Sequence, residues 1–156
     1  ANPWSWLVLG RPTSFYYESP KDCGAASCAQ EILAIGTPVL WWAGVFAIAV
    51  TAGLFIVSKD RIAAFILAGI VGTYLPWFFI QGRTMFYFYA ISILPFLILA
   101  LIYTFNWALK YKDYRKYIGI FIIVVAINFI YFLPIFLGIQ IPYADWLDRM
   151  WLPSWI

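Results

Sequence analysis

Arg83 is the residue best placed to do chemistry. It lies in a short polar turn, 81–83, between two long apolar stretches and just before the aromatic run Phe86-Tyr87-Phe88-Tyr89. An arginine there can take a phosphate through two parallel, charge-assisted hydrogen bonds. It can equally be an anchor whose head reaches water while its stem sets the depth of the helices. Residue type leaves both readings open. Arg11 carries the same ambiguity, contact to phosphate or sugar against interfacial anchoring. The other ionisable residues on that side of the chain are Glu18, Lys21, Asp22, Glu31, Asp145, Asp148 and Arg149. Glu18 lacks the partner an activating acid needs, and Asp145 and Asp148 fall on the polar face of the tail, where solvation is their expected role. The chain has no His, no Gly-rich phosphate loop and no Ser/His/Asp set, so soluble-enzyme chemistry has no motif here. The two cysteines, Cys23 and Cys28, are expected to pair in an oxidising compartment; the alternatives are free thiols or half a metal site, and the absence of His argues against zinc. No metal or cofactor is expected.

The elements that would position these residues are membrane helices. The chain is 65% hydrophobic and 11% charged, with a mean hydropathy of +0.86, whereas soluble domains carry roughly 25% charged residues. Four stretches without Asp, Glu, Lys or Arg, 37–57, 62–80, 84–109 and 117–141, each approach or exceed the roughly 20 residues that cross a bilayer as a helix. Period-two alternation is missing, against a membrane β-barrel. The fold expected is all-α, four transmembrane helices (37–141) preceded by an extracytoplasmic segment (1–36) and followed by an interfacial helix (142–156). The turn after the first span and the loop after the third hold Lys59, Arg61, Lys110, Lys112, Arg115 and Lys116 in very short sequence. The positive-inside rule makes them cytoplasmic and puts both termini, Arg83 and the cysteines outside.

Within that frame, 25–35 is expected to form a short helix leading into the first span. Thr37-Pro38 starts that span, with Trp41 and Trp42 at the outer interface. Ala64, Ala68 and Gly72 form a small-residue stripe for close packing, Pro95 sits mid-span, and Asn128 joins helices. In the tail, Trp146, Leu147, Met150 and Trp151 recur on one face. The start Ala1-Asn2-Pro3-Trp4, without Met or a signal-peptide layout, reads as a piece of a longer or processed chain. No charge lies deep in a span, which weakens transporter and channel readings, and nothing points to nucleic acid.

Several stretches together resemble the C-terminal region of the protein O-mannosyltransferase family, in its actinobacterial branch. They are Pro3-Trp4-Ser5-Trp6-Leu7, Gly10-Arg11-Pro12-Thr13-Ser14-Phe15-Tyr16-Tyr17, Gly36-Thr37-Pro38-Val39-Leu40-Trp41-Trp42, Tyr74-Leu75-Pro76-Trp77, Gly82-Arg83 with the aromatic run, and Met150-Trp151-Leu152-Pro153-Ser154-Trp155. Eukaryotic members differ at Asn2, at Thr37 and in the aromatic run, where they tend to carry histidines, so no role of those histidines transfers. The resemblance implies a GT-C glycosyltransferase of the cell membrane. Its donor would be polyprenyl-phosphate mannose and its acceptors Ser or Thr of secreted proteins, with membrane lipid around it. It implies that Arg83 steadies the donor phosphate, with Arg11, Trp41, Trp42 and Tyr87 as pocket or interface neighbours. No catalytic residue is expected in this chain, because the family's catalytic acid belongs to an earlier loop. The chain alone is then expected to be inactive. The competing reading is a non-catalytic four-helix scaffold or lipid-binding subunit, which explains the spans but not the ordered motifs.

Overall fold

The computed structural model describes residues 2–156. Four helical stretches, Pro38–Ser58, Arg61–Phe78, Tyr87–Leu109 and Arg115–Leu137, are long and apolar enough to cross a membrane, and the chain is a mostly helical, multi-pass membrane protein. Their outer faces show the inverse of a soluble surface: Phe46, Val57 and Phe65 are 71%, 84% and 65% exposed. Lipid is as apolar as these side chains, so nothing drives them inward.

Helix α1 (Pro38–Ser58) starts on Pro38, whose missing N–H costs nothing in a first turn. It ends where Lys59 turns left-handed at φ 52°. Asp60 then caps α2 (Arg61–Tyr74), its carboxylate accepting the Ile62 N–H at 3.2 Å. Pro76 converts the end of α2 into a 3₁₀ turn, Leu75–Phe78. A second 3₁₀ stretch, Tyr87–Ile93, leads into α3 (Leu94–Leu109). Pro95 lies in the first turn of α3, where its missing N–H breaks no α-helical bond, and stays well inside the Tyr87–Leu109 span. Helix α4 (Arg115–Leu137) stops at Gly138, left-handed at φ 66°, and the Ile139 N–H returns to the Pro134 carbonyl at 2.9 Å.

Asn128 is buried on α4, and its side-chain oxygen accepts the Val39 N–H at 3.1 Å. That is one of the donors a helix start leaves without a backbone partner, so Asn128 joins α4 to α1 as expected. The small-residue stripe behaves differently. Ala68 and Gly72 are exposed, and close approach falls at Gly69, under the Phe96 ring, and at Gly44, where a Cβ would lie 2.7 Å from Leu97 Cβ. Within this chain the close approach on α2 is made by Gly69 and not by the 64/68/72 stripe. Gly44→Val should therefore destabilise the α1–α3 pair by about 1–3 kcal/mol. Gly53→Val, into open space, should show no loss, both read by reversible unfolding in mixed micelles.

The segment 25–35 is not a helix. It contains β2 (Cys28–Ala34), antiparallel to β1 (Thr13–Glu18), with Thr13 opposite Ala34, Glu18 opposite Gln30 and a bulge between Ser14 and Tyr16. A two-residue β3 (Ile141–Pro142) pairs with Cys28 and Ala29. The Ala, Gln and Glu of β2 favour a helix locally. The β-formers Thr13, Phe15, Tyr16 and Tyr17 across from it supply the partner that overrides this. In the intervening loop Cys23 and Cys28 are joined, their Cα atoms 6.0 Å apart. The C-terminal helix, α5 (Tyr143–Leu147), is short. Arg149, from the expected polar face, folds back so that its Nε donates to the Tyr131 carbonyl at 2.7 Å and its guanidinium sits 4.6 Å over the Tyr131 ring.

The main core lies at the sheet end of the bundle, where Trp6, Leu9, Leu33, Trp41, Tyr87, Leu97, Phe132 and Trp155 meet. Hydrogen bonds fasten the N-terminal segment to the helices and tail. The Tyr74 hydroxyl donates to the Pro3 carbonyl at 2.8 Å, the Tyr87 N–H to Thr13 Oγ1 at 3.1 Å, and the Trp155 indole to the Leu9 carbonyl at 2.6 Å. Both terminal segments and the 79–86 turn thus share one end, while six of the ten basic residues lie at the other. There Asp60 has its pKa held below the ordinary 3.8, by a hydrogen bond from the Tyr103 hydroxyl first, then by the Ile62 N–H and the Lys110 charge. A depressed folded-state pKa contributes stability above the unfolded value that is lost as pH falls through the folded one. The protein should thus lose stability below about pH 4. Asp60→Asn should flatten that acid slope, as read from melting temperature against pH.

Candidate functional site

Two cavities flank the strand that leads into α1. The first is a groove of about 380 Å³ at the sheet end of the helices, with residues 34–37 along one side. Gly36 is required there: a Cβ would stand 2.7 Å from the Trp41 ring, so only glycine lets the chain pass over it. Trp41 is held by its indole N–H, which donates to the Trp6 carbonyl at 3.0 Å, and its ring packs 5.8 Å from that of Tyr87. Tyr87 is placed by the 3₁₀ stretch and by Thr13. Its hydroxyl, buried beside the Gly36 backbone, has no hydrogen-bond partner within 3.5 Å among the described residues. Phe129 and Phe136 of α4 and Ile91 and Leu94 close the remaining walls. Such a groove suits an apolar chain with a polar group near one end. No Asp or Glu lines it, and no group of His, Cys, Asp or Glu among the described residues could hold a metal.

The residues expected near a donor are not all brought together. Trp41 and Tyr87 share the groove. Trp42 does not enter it; its indole donates to the Val8 carbonyl at 3.3 Å and its ring faces Trp151 at 6.3 Å. Arg83 is exposed in the turn that leads to Tyr87, with no side-chain hydrogen bond or ion pair among the described residues. Arg11 lies in the second cavity, of about 420 Å³, with Glu31, Tyr17, Tyr143 and Trp146. The groove's α4 walls had no distinguishing signal in the sequence, because Phe129 and Phe136 look like any lipid-facing aromatics. Glu31 had none either: 28–34 shows no apolar alternation, and only the strand geometry puts Ala29, Glu31 and Leu33 on one buried face.

Known proteins agree with this architecture. No family model matches the chain. Three curated relatives, each named polyprenol-phosphate-mannose–protein mannosyltransferase, match 99% of it: those of Mycobacterium tuberculosis at 30% identity over 165 residues, Mycolicibacterium smegmatis at 31% over 165, and Corynebacterium glutamicum at 30% over 167. The chain spans about a third, 32%, of each relative's length. A solved structure, the Saccharomyces cerevisiae protein O-mannosyltransferase Pmt1-Pmt2 complex bound to the sugar donor, superposes on all of the chain with a TM-score of 0.72 at 23% identity, over 23% of its own chain. That likeness concerns the fold. By sequence over essentially its whole length, the chain is a homologue of the bacterial polyprenol-phosphate-mannose–protein mannosyltransferases, corresponding to about a third of one.

Proposed function

We propose that the chain is the C-terminal membrane region of a protein O-mannosyltransferase, which moves mannose from a polyprenyl-phosphate carrier to Ser or Thr hydroxyls of secreted proteins. The observation that carries this reading is the groove holding Trp41 and Tyr87, in a chain whose relatives bear that name. The groove receives the start of the polyprenyl chain, and its apolar walls exclude water from the linkage to the sugar. Arg83, in the turn before Tyr87 and unpaired in the described structure, takes the phosphate. In the transfer, the acceptor oxygen bonds to the anomeric carbon as the bond from that carbon to the phosphate oxygen breaks. The hydroxyl proton passes to a base, and the leaving phosphate gains the charge that a guanidinium stabilises. No Asp or Glu lines the groove, and the base is assigned, as the resemblance implies, to an earlier loop of the full-length protein.

The orientation follows from charge. With the basic loops cytoplasmic, the sheet end, the groove and the Cys23–Cys28 pair face the exterior of the cell membrane, the side where disulfides persist and where exported chains present their hydroxyls. The test is transfer of labelled mannose from polyprenyl-phosphate mannose to a Ser/Thr-rich peptide by the full-length protein in membranes. Labelled peptide is expected. No transfer from an authentic donor in folded protein would leave the chain a scaffold.

A further inference from the structure

The second cavity carries a recognition problem that the groove does not. Glu31 is a carboxylate only 4% exposed, on the inward face of β2. One oxygen, Oε2, accepts the Trp146 indole N–H at 2.7 Å, and no other hydrogen bond or ion pair reaches the carboxylate among the described residues. Of the roughly four acceptor positions of a carboxylate, the Trp146 indole fills one, and the others are left to whatever enters the cavity. Arg11 lines the same cavity of about 420 Å³, within the size range of ligand sites, yet forms no ion pair with Glu31; the single ion pair among the described residues is Arg115 with Asp113. The exposed Arg11 and the open acceptor positions of Glu31 therefore border one space. Around it stand rings: Tyr17 and Tyr143 flank the buried Trp146 at centroid distances of 5.5 and 5.2 Å, and both tyrosines keep exposed surface, 45% and 39%.

Each class of occupant can be weighed against this set. A cation meets Glu31 but is repelled by Arg11. An anion meets Arg11 but is repelled by Glu31. An apolar group leaves both charges unpaired. A neutral ring with hydroxyl donors, oxygen acceptors and a C–H face satisfies all three: hydroxyls donate to Glu31, ring or hydroxyl oxygens accept from Arg11, and the C–H face lies on tyrosine. That is a pyranose sugar. We propose that the cavity lined by Arg11, Tyr17, Glu31, Tyr143 and Trp146 is a hexose-binding site separate from the donor groove.

The two cavities share no lining residue, although one strand serves both: residues 31 and 33 face the sugar site and 34–37 the groove. Given the proposed function, which this step rests on, the sugar held there is not the one on the carrier but a mannose already attached to an acceptor. The site would then retain a glycosylated segment while a further hydroxyl is presented.

The experiment is equilibrium dialysis of labelled methyl α-mannopyranoside against the full-length protein in detergent, with excess polyprenyl phosphate filling the groove. Saturable binding is expected, weakened roughly tenfold or more in Glu31→Gln, since hydrogen bonds to a charged group are worth that factor. Tyr143→Ala should weaken it independently, with melting temperature confirming that both variants are folded. Absence of binding, displacement by polyprenyl phosphate, or equal binding by folded Glu31→Gln overturns the site. The assay needs no turnover. Binding in a protein that transfers no mannose sinks the donor reading and leaves the sugar site standing.

Discussion

Arg83→Ala should lower mannosyl transfer by the full-length protein by about 10²–10³-fold, the loss typical of removing one preorganised donor from a charge that develops in the transition state. The residue's setting favours this size of effect. No carboxylate of the described chain neutralises its guanidinium, and it stands in the turn that delivers Tyr87 to the groove. Arg83→Lys keeps the charge but loses the planar fork, so it should recover part of the rate. A phosphate contact formed mainly in the transition state should reduce kcat with little change in KM for the donor. An anchor would instead lower the amount of correctly inserted protein and leave kcat per folded molecule unchanged. Measuring kcat and folded fraction for the three proteins separates the two.

Trp41→Ala should cost about 3–5 kcal/mol of stability, the range for a buried aromatic cut to a methyl group. Trp41 is 3% exposed, is fixed by the Trp6 carbonyl, and supports both the chain crossing at Gly36 and the Tyr87 ring. Its loss opens a cavity where the sheet, α1 and the 3₁₀ stretch meet, and leaves the Trp6 carbonyl without its indole donor. Trp41→Phe keeps most of the volume and drops that hydrogen bond, so it should cost about 1–2 kcal/mol. Unfolding in mixed micelles gives both values. Equal stability of Trp41→Ala and the parent would mean that the groove wall is not part of the packed core.

The spans were legible because lipid imposes one requirement on every position: a long run without charge that satisfies its own backbone as a helix. The same physics made Thr37-Pro38 readable as a start and Asn128 as a joint between helices. The sheet was not legible. Ala29, Gln30 and Glu31 each prefer a helix locally, and only the pairing with Thr13–Glu18 reverses that, a partner that spacing within β2 cannot reveal. Nor could the residues show that the stretch before Pro95 winds as 3₁₀ and that the α-helical part of the third span starts beside the proline. At the site, composition could pick out arginines and interfacial aromatics but not their neighbours. Trp41 and Tyr87 meet because Gly36 lets the chain cross one and Thr13 holds the other, whereas Arg11, placed beyond the strand, belongs with Glu31.

The bonds that tie the two ends of the chain together also set when it can finish folding. The Trp155 indole reaches the Leu9 carbonyl, and the Ser154 hydroxyl the Gly10 carbonyl, across 146 and 144 residues. Synthesis delivers the segment before α1 first, so Leu9 and Gly10 wait for their partners until the fourth helix has been inserted and the tail has emerged on the same side. Contacts this distant in sequence form late. Released chains truncated before residue 150 would therefore keep all four helices but lack the Ser154 and Trp155 ties, and their segment before α1 should be more sensitive to protease.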